Sequence, residues 1–192
     1  MLDLTLESLA FALLCGLLWS LRGLAYLILA LALHELGHLA VLTFCNIPIL
    51  RIRLRFADVE ILTGPLPYRA ELLCALAGPL VNLALYCCTR RILAPFAAVN
   101  LLLGGFNLLP LLPLDGGRSL RALLCLFLPD AVAGRILRLW TAAAVLLSLL
   151  LSILHCLLRH GSPLPVVLCA GLGIRFLLSE NSNCFWPRKP LQ

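Results

Sequence analysis

Charge is what this sequence has least of. Asp, Glu, Lys and Arg make up 12% of its 192 residues, about half the share found in an ordinary soluble domain, and that shortage excludes a water-exposed globular surface. Paired cysteines are missing as well: the nine Cys form no C-x-x-C and no framework spacing, so they read as small apolar packing residues. No clear small-x-small cleavage site follows the first apolar run, and its flank is acidic at Asp3 and Glu7, which argues against a removable signal peptide. The cations behind the net charge of +6 are spread between apolar runs, so there is no basic face for a nucleic acid. Internal repeats, low-complexity tracts and a separate soluble domain are absent too.

What remains is apolar: 62% of the residues, with a mean hydropathy of +1.03. Uncharged runs of 18 to 23 residues recur, so the natural unit is a membrane span of about twenty residues. The sequence predicts an all-α membrane protein in a lipid bilayer, a single polytopic domain over residues 1–192. About six transmembrane helices are expected, at Leu4–Leu21, Gly23–Phe44, Leu72–Thr89, Ile92–Leu114, Leu139–Leu158 and Leu164–Leu178. Between the second and third, Arg51, Arg53 and Arg55 alternate with Ile52, Leu54 and Phe56, the period of a strand. Ala57-Asp58 can turn and Val59–Leu62 can return, giving a short β-hairpin; its first strand would be a place for an unwound substrate to dock. After Gly117, Leu120, Leu123, Leu124 and Phe127 recur at i, i+3, i+4, i+7 beside Arg118 and Arg121, an amphipathic helix ended by Pro129. If the N-terminus is cytoplasmic, ten cations fall inside and four (Arg22, Arg90, Arg91, Arg159) outside. This bias predicts both termini in the cytoplasm, with a bacterial cell membrane as the expected setting.

The second span carries His34-Glu35-Leu36-Gly37-His38, an H-E-x-x-H whose histidines sit one helical turn apart and can hold one ion. Glu35, between them, can reach a water on that ion and serve as its general base. Two histidines leave an ion short of ligands. Asp115 is the candidate third, because it ends an uncharged run of 23 residues and opens Asp115-Gly116-Gly117; a carboxylate so placed in hydrocarbon is costly and usually functional. The competing role for Asp115 is a helix cap, and for the histidines a hydrogen-bonded pair. His155 and His160 lack a carboxylate at motif spacing and read as interfacial or loop residues. Asn82, in Ala77-Gly78-Pro79-Leu80-Val81-Asn82, and Asn107, in the run from Phe106 to Asp115 that contains Pro110 and Pro113, add amides and helix breakers to the same region. Backbone freed by proline is tolerated at membrane depth only inside protein or beside a wet cavity.

Taken together, HELGH in one span, AGPLVN in the next and FNLLPLLPLDGG ending a third resemble the site-2 protease family of intramembrane zinc metalloproteases. The resemblance covers roughly residues 23–117, the expected catalytic core, with accessory spans at 4–21, 139–158 and 164–178. It is nearest to the sporulation-type branch, but without the CBS domain common there and without room for a PDZ domain. The resemblance implies one zinc ion held by His34, His38 and Asp115, activation of water by Glu35, a membrane-protein or membrane-associated substrate, and cleft positions for Asn82 and Asn107 in substrate or oxyanion contact. Two other classes fit part of the pattern. A membrane metal transporter would spread its ligands along a path, whereas these converge; a catalytically silent relative would have lost a ligand or Glu35, and all four are present.

Overall fold

In a computed structural model the described residues are 2–4, 21–55, 58–64, 66–159 and 164–181. Nine elements follow in chain order. They are β1 (Leu2–Leu4), α1 (Leu21–Phe44), β2 (Ile49–Arg55), β3 (Asp58–Thr63), α2 (Tyr68–Thr89), α3 (Ala94–Asn107), α4 (Asp115–Cys125), α5 (Asp130–Arg159) and α6 (Leu164–Asn181). Three of the helices, α1, α2 and α5, are long and apolar enough to cross a membrane.

The residues inside these helices explain how they pack. In α1 the buried set Ala30, His34, Gly37, His38 and Leu42 follows the three-and-four spacing of one helix face, while Ile28, Leu29 and Leu36 are exposed, as suits contact with lipid. Gly37 allows α2 to approach: a Cβ there would stand 2.9 Å from the Ala77 carbonyl oxygen. Gly104 does the same for α3 against Pro79 and Asn82. Helix α1 ends where Asn46 enters the left-handed region at φ 53°, and the Ile47 N–H returns to the Leu42 carbonyl at 2.9 Å. Asn is one of the few residues that accepts that conformation cheaply.

The hairpin forms with its two arms at Ile49–Arg55 and Asp58–Thr63, antiparallel, with Ile52 opposite Ile61 and Arg53 opposite Glu60. It belongs to a three-stranded sheet in the order β1-β2-β3, because Leu2–Leu4 pairs in parallel with Ile52–Leu54. Two expectations change here. Leu4 lies in a strand rather than at the head of a helix, and β2 is the central strand, so its backbone is engaged on both sides and cannot accept a further chain along that stretch. The remainder of the expected first span, residues 5–20, lies outside the described residues.

The expected fourth span is also shortened. Helix α3 stops at Asn107 after 14 residues, about 21 Å at 1.5 Å per residue, instead of running to Leu114. Pro110 and Pro113 lack the N–H that a continuing helix needs. The chain turns through Leu108–Leu114 and restarts as α4, which takes in Leu120, Leu123 and Leu124 of the expected amphipathic helix but begins earlier, at Asp115, and stops at Cys125, before Phe127 and Pro129. Gly116 and Gly117 bring this restart directly under the turn: a Cβ on Gly116 would collide with the Leu108 carbonyl, and one on Gly117 would lie 2.5 Å from that of Leu111. The Leu112 N–H donates to Thr141 Oγ1 of α5 at 3.1 Å, and Leu112 packs with Leu137 and Phe176 of α5 and α6. Helix α5 is 30 residues long, starting nine residues before the apolar run because Pro129 and Asp130 provide a helix start.

Candidate metal centre

Three elements meet at one point: the middle of α1, the middle of α2 and the first turn of α4. The His34 and His38 rings lie edge to face, with centroids 4.8 Å apart, as the i, i+4 spacing dictates. Asp115, 81 positions beyond His34, places Oδ2 3.0 Å from His34 Nε2 and 3.3 Å from His38 Nε2. The two Nε2 atoms are 3.1 Å apart. His34, His38 and Asp115 are 3%, 5% and 8% exposed. Asp115 does not cap α4 with its side chain; Leu114 holds the cap position, without a side-chain hydrogen bond.

The outer nitrogen of each imidazole is a donor. His38 Nδ1 donates to the Cys74 carbonyl at 2.7 Å, a group that can only accept. His34 Nδ1 donates to Asn82 Oδ1 at 2.6 Å, and the identity of that atom is fixed because the Asn82 nitrogen donates to the Ala30 carbonyl at 3.2 Å and to Asn100 Oδ1 at 2.8 Å. A neutral imidazole with its proton on Nδ1 presents a bare lone pair at Nε2. Two such lone pairs and a carboxylate oxygen, all within 3.3 Å of one another, repel unless a cation lies between them. A tetrahedral zinc with ligands at about 2.0–2.1 Å sets its ligand atoms roughly 3.3–3.4 Å apart, so these three need to open by only a few tenths of an ångström. The donor set and its outward hydrogen bonds fit zinc.

Glu35 is half-buried, and its carboxylate stands within 4.8 Å of the ring nitrogens. Arg118 Nη1 lies 3.5 Å from Asp115 Oδ1, and its charge favours the ionised carboxylate. Gly78 faces the cluster, and any Cβ there would collide with the His38 ring. Asn107 closes α3 and donates to the Leu103 carbonyl of its own helix at 3.1 Å; the amide that reaches the histidines is that of Asn82. His155 is exposed on α5, and His160 lies outside the described residues.

Sequence reasoning passed over Asn100. It is fully buried in α3, and the signal was its place as the one amide in the middle of the uncharged 92–114 run, seven residues before Asn107. It also passed over the ion cluster of Glu71, Arg121 and Asp130. Arg121, 4% exposed, meets Asp130 through Nη2 and lies 3.8 Å from Glu71 through Nη1. It thereby ties α4 to the start of α2 and of α5.

No family model matches the chain. Its architecture is that of a site-2 protease: the solved site-2 protease from Methanocaldococcus jannaschii superposes with a TM-score of 0.74 at 23% identity, covering 100% of this chain and 94% of the other. The chain is also similar to a zinc metalloprotease of the same organism, 35% identical over 111 residues. That match covers 51% of this chain and 33% of the relative, so the matched region spans about a third of the relative's length.

Proposed function

We propose that this chain is an intramembrane zinc metalloendopeptidase of the site-2 protease family, cleaving a peptide bond in or beside a membrane segment of a protein substrate. The observation that carries the reading is the convergence of His34 Nε2, His38 Nε2 and an Asp115 oxygen within 3.0–3.3 Å, with both Nδ1 protons directed outward. In this reading those three residues hold one zinc ion. Zinc, when bound, supplies a Lewis acid able to polarise a carbonyl and to bring water near neutral deprotonation.

The chain's own groups do the rest. The Glu35 carboxylate lies within 4.8 Å of the histidine nitrogens, close enough to act as a base on water held there. It takes the proton from the attacking water and returns it to the leaving nitrogen. Asn82 holds His34, having committed both N–H groups and its oxygen. To Asn107, whose amide carries a second N–H beyond the one given to Leu103, we assign a contact with the substrate or its developing oxyanion. A helical substrate must unwind to expose its carbonyls, and the outer edge of β3 is the place we assign to the extended segment, by strand addition. From the cation bias we assign the side bearing β2 and α4, with Arg51, Arg53, Arg55 and Arg118, to the cytoplasmic face of the membrane. Cleavage there fits regulated intramembrane proteolysis.

The test compares wild type with Glu35→Gln and His34→Ala in proteoliposomes. Glu35→Gln is expected to keep its zinc while cleavage falls about 10²–10⁴-fold, and to crosslink to uncleaved substrate in its native cells; His34→Ala is expected to lose zinc and cleavage together. Wild-type cleavage by Glu35→Gln, or a wild-type protein without zinc, would sink the reading.

A further inference from the structure

Asn82 can serve His34 in one orientation only. An asparagine amide is nearly the same shape after a half-turn. Flipped, Asn82 would direct NH2 at His34 Nδ1, drawing the imidazole proton to Nε2, where it would block a metal. The structure opposes that flip at two places, the Ala30 carbonyl and Asn100 Oδ1, both of which accept from the Asn82 nitrogen, at 3.2 and 2.8 Å. Asn100 is itself oriented, because its own nitrogen donates to the Phe96 carbonyl one turn back in α3, at 2.9 Å. A backbone carbonyl inside a helix cannot reverse. The polarity therefore runs unbroken from Phe96 through Asn100 and Asn82 to His34 Nδ1, and leaves the Nε2 lone pair facing Asp115 and His38.

We propose that Asn100 is a positioning residue for the metal centre: through Asn82 it fixes the tautomer of His34 and so the affinity for the ion, although it lies on a helix that contributes no ligand. This inference rests on the zinc reading above. Its chemistry is confined to hydrogen bonds and needs no bond made or broken. Helix α3 is thereby part of the centre.

The test is zinc affinity of the metal-stripped full chain in detergent micelles, read by competition with a chromophoric chelator. Asn100→Leu, which removes both the acceptor and the donor, is expected to bind zinc about 10–100-fold more weakly, as removal of a partner behind a ligand usually does. Asn82→Asp supplies the decisive background, since a carboxylate offers His34 an oxygen whichever way it turns. There, adding Asn100→Leu is expected to change affinity by less than about threefold. Asn100→Asp, which as a neutral acid keeps an acceptor for Asn82 and a donor for Phe96, is expected to bind like wild type. If leucine does not fold, as judged by gel filtration and circular dichroism, Asn100→Ala replaces it.

An equal loss from Asn100→Leu in both backgrounds would show that Asn100 only packs, and would overturn the proposal. So would unchanged zinc affinity in Asn100→Leu while His34→Ala abolishes binding, and in that case the zinc reading stands. Absence of zinc binding by wild type removes both.

Discussion

Gly78 stands against His34 with no room for a methyl group: a Cβ at this position would lie 2.7 Å from Nε2, and nearer still to Nε2 of His38. Neither ring can retreat, because each is held behind by the hydrogen bond from its Nδ1. Gly78→Ala is therefore expected to lower zinc affinity by roughly tenfold or more, on the scale of other disturbances around a metal ligand, with little change in helix content. Zinc retained per chain after dialysis against a graded chelator measures it. Full retention would mean that the rings can shift and that the hydrogen bonds behind them do not fix the centre.

On the zinc reading, the ion would also stabilise the fold by mass action. Three buried acceptors without a cation repel one another, so an ion binding the folded state alone should add about 2.7 kcal/mol at a free concentration of one hundred times its Kd. Thermal unfolding in detergent is expected to show this gain for wild type and to show none for His38→Ala or Asp115→Ala. Equal gains in all three would place the ion elsewhere.

Arg121 anchors the helix that carries Asp115. It is buried on the same short helix as Asp115 and pairs with Glu71 and Asp130. Removing one member of such a cluster leaves charge without its partner, at a cost on the order of 3 kcal/mol. Arg121→Leu is expected to lower the unfolding temperature clearly. Arg121→Leu with Glu71→Gln should recover part of the loss, since the stranded carboxylate is then neutral. No recovery would refute the ion-pair account.

The outer edge of β3 is assigned to the substrate. Neighbouring residues in a strand direct their N–H groups to opposite sides, so of Val59→Pro and Glu60→Pro one removes a donor facing β2 and the other a donor facing outward. Cleavage is expected to fall in both, while thermal stability should fall mainly in the one that faces β2. Normal cleavage by the stable variant would exclude docking along this edge.

The candidate site was legible in the sequence because its chemistry is rare there: His34, Glu35, His38 and Asp115 stand out among 62% apolar residues. The hairpin was legible from the alternation of Arg51, Arg53 and Arg55, and the close of α1 from the end of its apolar run. The shortening of α3 was hidden, since hydropathy continues through Leu114 without interruption and only the spacing of Pro110 and Pro113 marks the break. Asn100 was hidden for a different reason. A single amide in an apolar helix has a neutral meaning until the partner across the helix pair is known, and that partner, Asn82, is 18 residues away. Likewise the parallel pairing of Leu2–Leu4 with Ile52–Leu54 depends on contacts about fifty residues apart, which no local period records.

The brevity of α3 has an elastic consequence. A helix of about 21 Å packed against α1 and α2, in a hydrocarbon layer of about 30 Å, presents a hydrophobic mismatch that the surrounding lipid must absorb by thinning on that flank or by wetting the turn at Leu108–Leu114. Asp115 follows that turn directly. On the proposed reading, the acyl-chain length of the host membrane is thus mechanically linked to how far water must travel to reach the site.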